Sequence, residues 1–247
     1  MLKLLIYIIF LVNFSTQLFA EFQAVQTGYQ WKFPKDHGSH PSFKTEWWYY
    51  TGHLTTSKNR TFGFELTFFR QAQSKIKKGS VTNWDIDNIH LAHFAISDDQ
   101  NKTFYFDSNI SRPSFNMAYA KKNKLDVKNG NWHIKQRKNT VFLTASAPNI
   151  NLDLELNITK GPILQGDNGY SLKSNHHPIA SYYYSIPKLT GNGTLILLNN
   201  NHTVSAQAWF DHEFFSHNLA TNTKKFGAGK INGWDWFAIQ LNNNTEI

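Results

Sequence analysis

Apolar and polar residues alternate with a period of two along most of the chain after residue 45. Residues 62–68, 152–158 and 204–211 each place apolar side chains on one side and mostly polar or small ones on the other. This period is typical of strands that have one buried face. Because Asn129-Gly130 and Gly191-Asn192-Gly193 have the composition of hairpin turns, the pattern predicts about ten short strands that follow one another in antiparallel order.

Regularly spaced short strands without a helical period predict an all-β fold, either an antiparallel barrel or a strongly curved sandwich. The barrel is favoured because closure removes exposed strand edges, which promote aggregation. Residues 71–88 lack a clear pattern. We interpret them as a long loop that is either a lid over the barrel or an insertion without a role.

The N-terminus has the features of a secretory signal peptide over residues 1–20. Lys3 gives the positive start, an apolar run of nine residues from Leu4 to Val12 follows, and Ala20 is the small residue before the cleavage site. A membrane anchor is the competing interpretation, but a membrane span needs about 20 apolar residues. We therefore expect a mature chain that is secreted or periplasmic.

The composition excludes several classes of chemistry. The chain has no cysteine, so it forms no disulfide, carries no lipoprotein anchor and has no thiolate nucleophile. Its formal net charge is +8, but the basic residues are scattered among many asparagines, as in solvated loops. We therefore expect no nucleic-acid partner, and peripheral contact with an anionic envelope is the remaining interpretation of the charge.

Six segments of the chain are rich in aromatic residues and share a common order with a known family. They are EWWYYTGHL at 46–54, FGFELTFFR at 62–70, IHLAHFAISD at 89–98, SYYYSIPKLTGNGTL at 181–195, AWFDHEFF at 208–215 and GWDWFAIQL at 233–241. In this order and spacing they resemble the AttH/carotenoid 1,2-hydratase family, whose members are also described as secreted hydrolases.

The resemblance covers about residues 25–247 and implies two consecutive lipocalin-like, calycin-type domains. Residues 25–228 would be the first domain. Residues 229–247 would begin a truncated second domain, with GWDWFAIQL as its first strand and 242–244 as a turn. A separately encoded C-terminal domain is then a candidate partner.

The resemblance also implies cofactor-free hydration of an isoprenoid double bond. This reaction needs a carboxylic acid to protonate carbon and aromatic faces to stabilise the resulting cation. Asp211 is the candidate acid because it shares a strand face with Trp209, and we expect both side chains inside the barrel. Burial among aromatic rings would raise the pKa of Asp211 and keep it protonated. The alternative is an ionised Asp211 that pairs with Arg70, Arg112 or a histidine.

Glu46 is the candidate second carboxylate, as the partner of Asp211 in general acid and base chemistry. The neighbouring Trp47 and Trp48 must face opposite sides of the sheet, so one indole points inward. The alternative is a structural cluster, in which Glu46 pairs with Arg70 and the tryptophan rings plug one end of the barrel.

Tyr182 and Tyr184 are the nearest equivalent of a His-x-Trp pair that accompanies the acid in the hydratases. Because a tyrosine is a poor base near neutral pH, this departure makes the chain more similar to the AttH branch than to the carotenoid hydratases. The remaining candidate ligand contacts are aromatic and imidazole side chains of the same segments: Trp47, Trp48, Trp209, Tyr183, His93, His212, Trp234 and Trp236. We expect His93 to lie inside the barrel.

No metal site is predicted, since His90 and His93 fall on opposite strand faces and His176-His177 precedes Pro178 in a loop. The sequence has no GxSxG elbow and no phosphate loop, and we expect no cofactor. Two functions stay open. One is hydration or isomerisation of an apolar isoprenoid or lipid-like substrate, and the other is binding or carriage of such a molecule by a non-catalytic protein or an inactive truncated remnant.

Overall fold

A computed structural model describes residues 22–73, 86–173, 179–216 and 236–247, and these residues form an all-β fold. The strands are β1 (Thr45–Thr56), β2 (Thr61–Ala72), β3 (Asn88–Asp98), β4 (Thr103–Ser111), β5 (Ala118–Ala120), β6 (Asp126–Asn129), β7 (Trp132–Arg137), β8 (Thr140–Ala147), β9 (Ile150–Ile158), β10 (Ile163–Leu164), β11 (Tyr170–Leu172), β12 (Ala180–Leu197) and β13 (Asn200–Phe215). Two single 3-10 turns cover Lys35–His37 and Ser114–Asn116.

The strands form one antiparallel sheet that is nearly closed into a barrel. Its order is β4-β3-β2-β1-β13-β12-β9-β8-β7-β6-β5, and the short β10 and β11 also pair with β12. The two ends of this order meet at Asn129 of β6, whose side-chain amide donates to the carbonyl oxygens of His90 at 3.1 Å and Asn109 at 3.3 Å. The predicted antiparallel, barrel-like, all-β fold is therefore confirmed.

The hairpin of β12 and β13 contains the longest strands and a β-bulge between Ile186 and Leu189. The bulge includes Pro187, which has no backbone N–H to give to a ladder. An extra residue in a strand reverses the side-chain alternation beyond it. Tyr184 and Ile186 consequently point inward before the bulge, and Leu189 and Leu195 point inward after it.

The interior of the barrel is filled by one large apolar cluster. Trp48, Tyr50, Phe94, Trp132 and Phe210 belong to it, and each exposes at most 1% of its surface. Side chains this completely covered leave no water-sized space beside them. The expectation of a ligand site inside an aromatic-lined barrel is therefore wrong for the part of the interior that these residues line.

The inner and outer faces of the wall follow the two-residue period. On β13, Val204, Ala206, Ala208 and Phe210 join the core, so the odd-numbered residues between and beyond them face outward. Asp211 therefore points away from the interior.

The C-terminal residues form a short turn against the barrel. Asn244 donates its backbone N–H to the Leu241 carbonyl at 3.0 Å, which confirms the expected turn at 242–244. The expected strand over 233–241 is wrong for its described part, since 236–239 have no strand pairing and Gln240 forms a single bridge with Glu246. The predicted signal peptide over residues 1–20 and most of the predicted loop 71–88 lie outside the described residues. The loop is shorter than expected, because Gln71 and Ala72 belong to β2 and Asn88 belongs to β3. Within the described ranges, no helix is long and apolar enough to cross a bilayer.

Replacing Asn129 with alanine is expected to weaken closure of the barrel. The residue is fully buried, and its loss leaves two strand carbonyls without their amide donor, which costs about 1–3 kcal/mol. Urea unfolding measures the change. Asn131→Ala is the control, because this exposed side chain makes one long hydrogen bond of 3.4 Å, and it should change stability by less than about 0.5 kcal/mol. Equal effects of the two substitutions would contradict the closing role of Asn129.

Candidate functional site

Two groups of polar residues lie on opposite faces of the same wall of the barrel. The first, here called the inner network, occupies one end of the interior and consists of Asp36, His37, His40, Glu46, Arg70, Tyr184 and His212. The second, here called the outer cleft, lies on the outside of β2, β1 and β13.

Glu46 is the centre of the inner network and is fully buried. Its Oε1 lies 2.7 Å from Nδ1 of His40 and 3.0 Å from Nε2 of His212. Its Oε2 accepts a hydrogen bond from Nε of Arg70 at 3.1 Å. Burial alone would raise the pKa of Glu46, but the hydrogen bonds from the two histidines and the charge of Arg70 outweigh it and hold the pKa well below its usual range.

Tyr184 links the two sides of the inner network. Its hydroxyl lies 2.7 Å from Nδ1 of His37 and 3.1 Å from Nδ1 of His212. Burial lowers the pKa of His212, and the neighbouring Glu46 opposes this shift. Burial raises the pKa of Tyr184 well above its ordinary value, so its hydroxyl stays neutral and acts as a hydrogen-bond group.

The inner network ties the segment before β1 across one end of the barrel. Arg70 donates to the carbonyl oxygens of His40 at 3.1 Å and Phe43 at 2.8 Å. The indole N–H of Trp48 donates to the carbonyl of His37 at 3.1 Å, and its ring stacks on His212 at 4.9 Å between centroids. This arrangement matches the structural interpretation of Glu46, in which it pairs with Arg70 and a tryptophan plugs the end of the barrel.

His40, Glu46 and His212 bring three ligand atoms within 4.8 Å of one another. Two imidazoles and a carboxylate are a ligand set that zinc and iron use. However, the guanidinium of Arg70 contacts the same carboxylate and would repel a divalent cation, and hydrogen bonds already link all three ligand atoms. We therefore interpret the cluster as a charge and hydrogen-bond network.

The outer cleft is bounded by the barrel wall on one side and by residues 236–240 on the other. An apolar part of about 400 Å³ is lined by Trp47, Thr67 and Phe69. A more polar part of about 480 Å³ has Thr51, His53, Ser97, Gln207 and Gln240 among its lining residues. Four residues line both parts: Tyr49, Glu65, Asp211 and Trp236.

Asp211 is the buried carboxyl group of the outer cleft and exposes 6% of its surface. Its Oδ1 accepts hydrogen bonds from the Tyr183 hydroxyl at 2.9 Å, the Trp209 indole N–H at 2.9 Å and the Ser185 hydroxyl. Among the described residues, Oδ2 has no hydrogen-bond partner. Burial raises the pKa of Asp211, and the three neutral donors oppose this shift without cancelling it.

The structure corrects the expected position of Asp211. Asp211 and Trp209 share a face, as predicted, but this face is the outer one. Glu46 lies on the inner face, so the two carboxyl groups do not form the expected pair. The alternative pairing of Asp211 with Arg70 is wrong as well, because Arg70 binds Glu46.

The structure separates the three consecutive tyrosines of β12. Tyr184 belongs to the inner network, and only Tyr183 contacts Asp211. Tyr182 exchanges hydrogen bonds with the backbone of Gln26 at 2.7–3.0 Å and packs in a second cluster with Phe214. Tyr182 and Tyr184 therefore do not line the space of Asp211, contrary to expectation.

The remaining candidate ligand contacts are divided between the two faces. Trp47 and Trp236 line the outer cleft, whereas Trp48 and His212 face inward. His93 lies on the outer face, where its ring contacts Phe69 and Phe106, so the expectation of an inner histidine is wrong. Trp234 lies outside the described residues.

Several residues of the two groups escaped the sequence analysis. Ser185 and Tyr49 come from the same motifs as the predicted residues, and Glu65 is the one acidic residue in the strand FGFELTFFR. The alternation of that strand places Glu65 on its outer side and could have identified it. His40 and Asp36 precede the first strand, and no local pattern indicates that His40 contacts both Glu46 and Asp36.

The chain is an antiparallel β-barrel protein with a packed interior and a buried carboxyl group in an aromatic cleft on its outer face. A family model described as AttH-like matches residues 24–247. The chain belongs to the AttH-like family. A comparison with curated proteins gave no match.

Two solved structures are similar to this chain. The crystal structure of an AttH protein from Nitrosomonas europaea matches with a TM-score of 0.71 and 34% identity, over 81% of this chain and 60% of that one. Kievitone hydratase from Nectria haematococca matches with a TM-score of 0.55 and 12% identity, over 74% of this chain and 51% of that one. This chain thus spans about half to three fifths of the length of these relatives.

Replacing Glu46 with glutamine is expected to destabilise the fold strongly. The substitution leaves the buried Arg70 without its counter-ion, and breaking a buried ion pair in this way costs about 3–5 kcal/mol. Chemical unfolding measures the loss. Glu155→Gln is the matched control, because Glu155 is exposed on β9 and should tolerate the change. A loss below about 1 kcal/mol for Glu46→Gln would contradict the structural role of the pair.

The buried His37 and His90 are each expected to lower stability as the pH falls from 6.5 to 4. Burial lowers the pKa of His37 and of His90 to about 4, with help from the charges of His212 and Arg70 respectively. Below pH 6.5 the unfolded chain binds protons that the folded chain excludes, so each residue removes up to about 3 kcal/mol of stability by pH 4. Unfolding of His90→Gln over this range should show a shallower pH dependence than the wild type, whereas exposed His53→Gln should not. If the stability of the wild type and of His90→Gln depended on pH in the same way, the lowered pKa of His90 would be contradicted.

Proposed function

We propose that this AttH-like protein is exported and catalyses cofactor-free hydration or isomerisation of an apolar, isoprenoid or lipid-like substrate in the outer cleft. Asp211 is the acid that transfers a proton to a carbon of the double bond. The observation that carries the proposal is a buried carboxyl group with a raised pKa at the edge of an aromatic pocket.

The hydrogen bonds of Asp211 support its role as an acid. Three donors converge on Oδ1, so Oδ2 is the oxygen that carries the proton of the neutral form. A carboxyl group whose charged form is disfavoured by burial can remain protonated at higher pH than an exposed one. Transfer of this proton would leave an anion that the same three donors stabilise.

The lining of the apolar part supports the choice of substrate. Trp47, Phe69, Tyr49 and Trp236 present aromatic surface beside Asp211. Aromatic faces attract cations, by up to about 2 kcal/mol where water is excluded. They would therefore accept an isoprenoid chain and stabilise the carbocation that protonation creates. A protein of similar fold is named a kievitone hydratase. This name is a precedent for a hydratase with this architecture.

Replacing Asp211 with asparagine tests the proposal. The side-chain oxygen of asparagine can still accept the three hydrogen bonds, so the fold and the pocket should persist while the transferable proton is lost. We expect conversion of acyclic isoprenoids, followed by mass spectrometry, to fall by about 100-fold or more, and binding of the same molecules to change by less than about threefold.

Asp153→Asn is the matched control, because Asp153 is exposed on the outer face of β9 and lines a different pocket. Its activity should equal that of the wild type. Full activity of Asp211→Asn would overturn the role of Asp211. Tight binding by the wild type without any product would favour the carrier function instead.

A further inference from the structure

Glu65 is a second carboxyl group in the outer cleft. It lines both the apolar part and the polar part, as Asp211 does. Thr67, which exposes 1% of its surface, donates its hydroxyl to Oε1 of Glu65 at 2.7 Å. The hydrogen bond orients the carboxyl group, and Oε2 has no hydrogen-bond partner in the described part of the chain.

The strand register places Glu65 and Asp211 on two sides of Tyr49. Tyr49 of β1 is opposite Thr67 of β2 and Asp211 of β13, and Glu65 lies two residues along β2 from Thr67. With neighbouring strands about 4.8 Å apart and a rise of about 3.3 Å per residue, the two backbone positions are about 12 Å apart. Both side chains line the outer cleft.

Tyr49 lies within electrostatic range of both carboxyl groups. Burial raises the pKa of its hydroxyl, the hydrogen bond with Thr51 opposes the shift, and Glu65 and Asp211 both add to it. The phenol therefore stays neutral between the two carboxyl groups. In the strand order of the cleft wall, Tyr49 lies between the strands that carry them.

The two parts of the cleft differ in what they can hold. The apolar part offers Trp47 and Phe69 to a hydrocarbon chain, whereas the polar part offers the side chains of Thr51, Ser97 and Gln207 to water. Glu65 and Asp211 lie where the two parts meet. General acids and bases that act on opposite sides of a reacting centre and a water have carboxyl groups about 6.5–9.5 Å apart in inverting glycoside hydrolases, and two side chains whose backbone positions are about 12 Å apart can reach such a separation.

We infer that Glu65 is the general base for hydration in the outer cleft, where it removes a proton from the attacking water. The inference rests on the proposed function. It assigns Glu65 to the second half of the reaction, which is the addition of water to the cation. The π bond takes the proton from Oδ2 of Asp211, and one carbon becomes a cation. The water oxygen forms a C–O bond with this carbon while one of its protons passes to the Glu65 carboxylate. Solvent then returns a proton from Glu65 to Asp211, so the sum is alkene plus water giving alcohol.

This division of roles predicts different consequences for the two carboxyl groups. Without the acid, no cation forms, and neither hydration nor isomerisation can proceed. Without the base, the cation still forms and returns to an alkene by losing a proton to the Asp211 carboxylate. Loss of Glu65 should therefore abolish addition of water and spare exchange of alkene protons with solvent.

Glu65→Gln tests the inference with the full chain and the acyclic isoprenoid hydrocarbon β-myrcene as the probe. Reactions in D₂O report exchange by deuterium in the recovered alkene, and reactions in H₂¹⁸O report hydration by ¹⁸O in the alcohol, both by gas chromatography with mass spectrometry. Glutamine retains the oxygen that accepts from Thr67, and circular dichroism with thermal unfolding checks the fold. We expect hydrate formation to fall by about 30-fold or more and deuterium exchange to stay within about threefold of the wild type.

Two further variants complete the design. Asp211→Asn should lose both readouts, and Glu155→Gln should retain both because its exposed carboxyl lies on β9, away from the outer cleft. Undiminished hydration by folded Glu65→Gln, with Asp211→Asn inactive, would overturn the role of Glu65 and leave the proposed function intact. Equal loss of hydration and exchange in Glu65→Gln would also overturn it, since that result assigns Glu65 to formation of the cation. Absence of both readouts in the wild type would reject the proposed function and the inference together.

Discussion

The two-residue period of a β-strand is the constraint on which both groups of polar residues depend. Asp211 and His212 are neighbours in sequence, yet one points out of the barrel and the other points into it. The same rule divides Trp47 from Trp48 and Tyr183 from Tyr184. The wall is a single sheet, so adjacent positions on three of its strands form two different environments, one on each face. A change of register by one residue would exchange the side chains between the two faces.

The contrast between Glu46 and Asp211 shows how partners, and not burial, decide the charge of a carboxyl group. Both are almost completely covered, and burial alone would raise the pKa of each. Glu46 has a guanidinium and two imidazoles around it, so its charged form is favoured. Asp211 accepts from a phenol, an indole and a hydroxyl, which are neutral and favour the charge less, and the charge of Lys173 adds a smaller effect that does not reverse that of burial. The first environment suits a structural ion pair, and the second suits an acid.

The fold could be predicted from the sequence because strand alternation and turn composition are local signals. On β13 this alternation places Val204, Ala206 and Ala208 on one face and Asp211 on the other, which indicates an outer position for Asp211. The chemistry implied by the family resemblance nevertheless led us to expect Asp211 inside the barrel. The inner network could not be predicted, because Glu46 meets Arg70 through strand pairing and meets His40 through an irregular segment. The bulge at Pro187 also has no periodic signal, although it reverses the alternation of β12.

The bulge links the packed barrel to the outer cleft. Between Ile186 and Leu189 the ladder is interrupted, and the Pro187 carbonyl accepts a hydrogen bond from the side-chain amide of Gln240 at 2.6 Å. The same amide reaches the Ala208 carbonyl at 3.2 Å, so one side chain fixes residues 236–240 over β12 and β13. Trp236 belongs to this segment. The bulge of β12 therefore helps to position the aromatic surface opposite Asp211, although other residues of β12 pack in the core. The barrel can therefore be filled solid for stability while Asp211, the acid of the proposed reaction, lies in a cleft on the outside.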